Sequence, residues 1–148
     1  MALRPDRNEH LTDLSFFMNE TAERGVIVTA ATQGSGAAMD DSAAAVQVAN
    51  TTSEIPVGLL LNDVVNLDLT RQHINFAKDE VQQGDKVLLL RVGTVTTDQI
   101  SGSITMGAAA HFMSDGTLAT GSTASIQVGR FLSKKDADGY AKVAINIQ

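Results

Sequence analysis

Tyr140-Ala141-Lys142-Val143-Ala144-Ile145-Asn146-Ile147 alternates strictly along its length. Val143, Ile145 and Ile147 share one side, and Lys142, Ala144 and Asn146 the other. A period of two belongs to a half-buried strand, because a helix would scatter the same residues around its circumference. Lys134-Lys135-Asp136-Ala137-Asp138-Gly139 precedes this strand and has turn chemistry: Asp can bond its own backbone, and Gly permits a left-handed conformation. Further back, Ile126, Val128, Arg130 and Leu132 alternate with Gln127, Gly129 and Phe131. Ser114-Asp115-Gly116-Thr117 reads as a tight hairpin-type turn. Ile104 to Met106 and Ala108 to Met113 read as shorter strands parted by Gly107.

The same signals continue toward the N-terminus. Gln83-Gly84-Asp85 reads as a turn before Lys86-Val87-Leu88-Leu89-Leu90-Arg91-Val92, a run bulky enough for a strand buried on both faces. Gly93 is expected to end it. Pro56 opens Val57-Gly58-Leu59-Leu60-Leu61, Asn62-Asp63 is expected to break it, and Val64, Val65, Leu67 and Leu69 form a second apolar run. Val26 to Ala31 is a β-branched strand bounded by Gly25 and by Gln33-Gly34-Ser35-Gly36. A weak strand is expected through Val46 and Val48, and one helical turn about residues 72–80. Seven to ten short strands with a turn every 8–12 residues imply an all-β fold, a small β-barrel or β-tulip-like sandwich. No fixed-period repeat or linker divides the body.

Residues 1–20 differ in character. They are polar and charged, with Leu3, Leu11, Leu14, Phe16, Phe17 and Met18 interspersed. Leu11, Leu14 and Met18 have helical spacing, and Thr12 or Asp13 would cap a short turn. Two adjacent phenylalanines stand out where aromatics make up 4% of the chain. The segment reads either as a terminus packed on its own core or as an arm that docks on a partner. The division adopted is an N-terminal arm, residues 1–22, and a β-rich domain, residues 23–148. On the arm reading, removing residues 2–20 leaves the body folded and weakens partner binding.

Composition narrows the function. The chain has 148 residues, a net charge of −6 and no cysteine. Its length suits one domain with a real core. An acidic balance argues against a nucleic-acid partner, which needs a basic face. Without cysteine there is no disulfide and no thiolate metal site. No apolar run approaches the roughly 20 residues that span a bilayer, so no membrane partner is expected. The first ten residues carry both charge signs and no apolar core, unlike a secretory signal. The Asn-x-Thr triplets at Asn19 and Asn50 therefore carry little meaning.

Chemical motifs fail on inspection. Gly34-Ser35-Gly36-Ala37-Ala38-Met39 lacks the third glycine and the following helix of a dinucleotide site. Asp136-Ala137-Asp138-Gly139 opens like a calcium loop, but the position for its bidentate Glu falls at Ile147. His10, His73 and His111 are widely spaced, and no serine sits in a nucleophile elbow. The expectation is a protein with no catalytic residue, no metal site and no cofactor.

The C-terminal stretch resembles the capsid decoration, or cement, proteins of tailed phages. The resemblance is carried by Gln83-Gly84-Asp85-Lys86-Val87, Gly102, Gly107-Ala108-Ala109-Ala110-His111-Phe112, Ser114-Asp115-Gly116-Thr117-Leu118, Val128-Gly129-Arg130-Phe131-Leu132 and Asp138-Gly139-Tyr140-Ala141-Lys142-Val143. It covers roughly residues 56–148. It implies a compact barrel or tulip-like domain outside an icosahedral head, often a homotrimer, made in the host cytoplasm and clamping major capsid protein subunits. A terminal arm reaching onto the capsid would here be residues 2–20, with Arg4, Arg7, Leu11, Leu14, Phe16 and Phe17 as the contact residues. The alternatives are another virion module, such as a tail or baseplate component, or a ligand-binding β-barrel.

Overall fold

The computed structural model describes residues 3–31, 45–63, 80–121 and 125–147. Among them are eleven strands and no helix: β1 (Asn8–Met18), β2 (Ala22–Glu23), β3 (Ile27–Ala30), β4 (Ala45–Val48), β5 (Pro56–Asp63), β6 (Glu80–Val81), β7 (Lys86–Thr97), β8 (Ala109–Phe112), β9 (Leu118–Ala119), β10 (Gln127–Phe131) and β11 (Ala141–Asn146). The glycine segment at 33–36, the apolar run from Val64 to Leu69 and the helical turn expected near 72–80 lie outside the described residues.

The nine-stranded sheet runs β1-β4-β3-β5-β7-β11-β10-β8-β9, and β1 also pairs with β7. That extra ladder closes a ring of five strands, β1-β4-β3-β5-β7. Four of its five ladders are antiparallel; β1 and β4 are parallel. The second half of β7 leaves β5 and pairs with β11, from Val92↔Asn146 to Thr97↔Ala141. β11 then carries β10, β8 and β9 as an outer layer. A short β2–β6 pair stands apart.

Alternation along the shared strands divides the core in two. Val28, Val46, Leu60, Val87, Leu89 and Met18 form the cluster to which every ring strand contributes. Ile27, Leu59, Leu61, Leu90 and Val95 point the other way and meet Phe112, Leu118, Phe131, Val143 and Ile145 of the outer layer. The β7 run is thus buried on both faces, as its unbroken bulk implies. The last strand shows the expected pattern: Val143 and Ile145 are buried, while Lys142 and Asn146 are exposed.

The expected turns form as well. Asp115 Oδ1 accepts from the Thr117 backbone N at 3.1 Å and from its hydroxyl at 2.6 Å. The hydroxyl bond first, then the backbone bonds, holds the Asp115 carboxyl below its ordinary value against the opposing effect of burial. Asp136 Oδ1 accepts from the backbone N of Asp138 and of Tyr140, both at 2.9 Å. The acidic tetrapeptide therefore spends its oxygen on closing a turn.

Three expectations are corrected. β5 runs through Asn62 and Asp63, because their backbones pair with Leu88 and Val87. Residues 104–106 are not a strand. They lead into a turn in which Ala108 N donates to Thr105 O at 3.1 Å, with Gly107 at φ 85°. Gly93 does not end β7, which continues to Thr97. β1 crosses so closely there that a Cβ on Gly93 would collide with the Asn8 carbonyl oxygen. Within the N-terminal segment, β1 supplies a ring strand. Residues 8–18 are hydrogen-bonded along their length, and Leu3 is buried in the larger core.

The crossing at Gly93 generates a prediction. Gly93→Ala should lower stability by about 2 kcal/mol or more, since backbone, unlike a flexible side chain, gives way poorly. Urea unfolding measures this. An unchanged midpoint would mean that β1 does not cross β7 at this position.

Candidate docking surface

β1 is a strand with an unusual outer side. Its register against β7 runs from Asn8↔Thr94 to Phe17↔Lys86, with shifts between Glu9 and Leu11, Leu11 and Thr12, and Asp13 and Phe16. Such bulges insert residues that the partner strand does not match, so strict alternation fails. Leu11 and Leu14, three apart, are both exposed, at 45% and 49%. The helical spacing in the sequence is the trace of these bulges. Asp13 does cap local backbone, but within a strand: its carboxylate accepts from Ser15 N at 2.8 Å and from the Ser15 hydroxyl. Those bonds, the hydroxyl first, hold the Asp13 carboxyl below its ordinary value, with a smaller contribution from the Arg91 charge and against the opposing effect of burial.

The aromatic pair sits at the other end of the strand. Phe16 packs against the ring core, and Phe17 is half-buried beside the β4 and β7 ladders. Met18, next in line, is fully buried. Backbone bonds from Met18 N to Asp85 O (2.9 Å), Gly84 N to Met18 O (2.8 Å) and Asn19 N to Val46 O (2.8 Å) fasten this end. Phe16 is therefore engaged within the protein itself.

At the strand's beginning, Leu3 forms a bridge with Thr97, and Arg4 N donates to Thr96 O at 3.0 Å. The Arg4 guanidinium lies 3.0 Å from Asp136 and 3.4 Å from Asp138, and 4.2 Å above the Tyr140 ring. The Tyr140 backbone N–H first, then the Asp138 N–H and the Arg4 charge, hold the Asp136 carboxyl below its ordinary value against desolvation. Arg7 pairs with Glu9 at 2.6 Å. Exposed ion pairs of this kind add little stability, because water and salt screen them. They position the arginines more than they hold the fold.

Of the six residues singled out from the sequence, Leu11, Leu14, Phe16 and Phe17 thus lie along β1, and Arg4 and Arg7 on the stretch that precedes it. Of the six, Leu11 and Leu14 present apolar surface to solvent. The sequence reading missed Lys134 and Lys135, taken only as turn residues, which the fold sets beside Arg4. It also missed exposed Met106 and Leu132, which flank one end of the β8–β10 ladder, where Gly107 N donates to Phe131 O at 2.8 Å. Of the histidines, His10 is exposed on β1, His111 Nδ1 lies 3.0 Å from Ser125 O, and His73 is outside the described residues. No cluster of three or more metal-ligating side chains occurs among the described residues.

Comparison with known proteins adds two findings. The family model described as "Structural cement protein (E217 gp24/Pam3 gp6)" matches residues 12–146, from the middle of β1 to the end of β11. Among solved structures, the chain is similar to the N base of head fiber gp8.5 of bacteriophage phi29, at 15% identity and a TM-score of 0.56. The likeness covers 96% of each chain. At that identity it concerns the fold alone. No curated protein matches the chain.

The strand's position predicts the fate of a truncation. Removing residues 2–20 deletes β1 and opens the ring along both the β4 and β7 ladders. The shortened chain should lose cooperative thermal unfolding, as followed by calorimetry. Leu11→Ser/Leu14→Ser, which alters only exposed side chains, should keep its melting temperature within a few degrees, about the effect of ±0.5 kcal/mol per surface site. A truncated chain that melts cooperatively at the full-length temperature would overturn the ring assignment.

Proposed function

This chain belongs to the structural cement protein family of phages and is a structural component of the virion, and we propose that it binds the outer surface of an icosahedral phage head and stabilises contacts between neighbouring major capsid protein subunits. The observation that carries the proposal is the extent of the family match. It runs through both layers, so the ring and the outer layer alike belong to the cement fold.

The physical arrangement suits this role. A seam between subunits is reinforced by a part that adds buried area without reshaping the shell. A closed ring is such a part, because closure leaves the ring few unpaired strand groups to invite aggregation. Leu11 and Leu14 offer an apolar contact on a strand that its own ladders hold rigid. Burying the remaining half of each leucine contributes roughly 1.5–3 kcal/mol in all before the costs of association are subtracted. A small surplus per copy, multiplied over a shell, still reinforces it. In this reading the chain acts as a homotrimer with the major capsid protein as partner. The contact residues are Leu11 and Leu14, flanked by Arg4, Arg7 and Phe17. Phe16 supports the strand from within.

A second reading is favoured by the fold shared with a head fiber base. The chain would then seat a projecting element on the head rather than bridge subunits. Copy number separates the two: bridging requires occupancy at most equivalent seams, whereas a fiber base sits wherever fibers project.

Co-sedimentation of the purified protein with undecorated capsids tests the proposal. The intact chain should pellet with capsids and raise their disruption temperature. Leu11→Asp/Leu14→Asp should weaken pelleting by about tenfold or more, because each charge would have to be desolvated at the contact. Capsids that neither bind the intact chain nor gain heat resistance from it would refute the proposal.

A further inference from the structure

A groove of about 330 Å³ opens where the N-terminal stretch, the end of β7 and the β10–β11 turn meet. Arg4, Lys134, Lys135 and Lys142 line it, with Asp6 and Asp136. Four cations against two carboxylates give the lining a charge of +2, in a chain whose net charge is −6. The groove therefore gathers four of the chain's eleven basic residues into one concave spot.

Two of these cations are held in place. Arg4 is fixed by its backbone bond to Thr96, its ion pair with Asp136 and the Tyr140 ring beneath it. Lys135 Nζ donates to Ile100 O at 3.0 Å and keeps donor capacity to spare. A ligand that meets cations already in position avoids part of the ordering cost. Lys134 and Lys142 are exposed, and neither forms an ion pair among the described residues. Asp136 is already occupied by two backbone N–H groups and by Arg4, and Asp6 accepts from the Thr96 hydroxyl at 3.4 Å. The unspent charge in the groove is positive.

We infer that this groove seats an acidic segment of the capsid subunit that the chain cements, an inference that rests on the capsid-binding reading above. A groove of this volume takes one or two carboxylate side chains. A nucleic acid would instead need a continuous basic face, and outside the groove the chain's charges sum to a strongly negative value. Charge pairing of this kind fixes orientation and partner choice, while the apolar contact on β1 supplies buried area.

The test reverses charge at the two unpaired lysines. Lys134→Glu/Lys142→Glu should melt as the unaltered protein does, since the side chains are exposed, yet bind undecorated capsids about tenfold or more weakly. Affinity of the unaltered chain should fall between about 0.05 and about 0.5 M salt, and that of the double variant should change much less. Lys134→Arg/Lys142→Arg, which keeps both charges, should bind normally. The inference is overturned if the glutamate double variant binds as well as the unaltered chain, or if the arginine double variant loses as much. It is also overturned if the lysine-dependent binding is to duplex DNA rather than to capsids. If the unaltered chain does not pellet with capsids under any salt condition, the capsid reading itself fails, and the inference with it.

Discussion

Burial of β7 on both faces is the constraint on which the rest of the fold depends. Val87 and Leu89 enter the ring, while Leu90 and Val95 enter the space between ring and outer layer. A strand with no solvent face needs covering on each side, and one sheet cannot provide both covers. The chain answers by closing five strands on one face and laying β11, β10, β8 and β9 over the other. At twelve residues, β7 is long enough to serve β5 with its first half and β11 with its second, and β1 pairs along most of its other edge. Both layers thus share one strand.

Closing the ring has a consequence for binding. The strand that completes it, β1, must cross β7 closely, and Gly93 makes room at the crossing. The bulges that let β1 follow the ring also turn Leu11 and Leu14 outward. A flexible arm would have to be ordered on docking, at a cost in entropy for each residue fixed. Here the ladders to β4 and β7 have already ordered the backbone, so an apolar contact made by β1 retains more of its burial energy. The same tethering draws Leu3 into the core and carries Arg4 onto Tyr140, more than 130 residues away in sequence. Apolar and basic surfaces are thereby offered from one rigid body.

Much of the architecture was legible in the residues. The alternation over Tyr140–Ile147, the unbroken bulk of Lys86–Val92 and the Asp-Gly turns determined strands, turns and an all-β class, because each depends on neighbours within a few residues. The turn at Asp136–Gly139 was legible for the same reason, since Asp136 bonds backbone only two and four residues on. The cement family was legible from the order of Gly-turn-strand pieces toward the C-terminus.

The placement of residues 8–18 was not. A polar segment with scattered leucines and phenylalanines has the same local signature whether it docks on another protein or on its own sheet. Tertiary pairing decided it, through ladders to β4 and β7 that lie far off in sequence. Gly93 misled similarly: a glycine after an apolar run looks like a stop, and only the close passage of β1 shows that it is a clearance. Lys134, Lys135 and Lys142 looked like the solvated edge of a turn until the fold brought Arg4 beside them. Short-range periodicity and turn geometry are written into neighbouring residues. Ring closure, bulge placement and the gathering of charge depend on contacts between distant segments, which single-chain pattern does not encode.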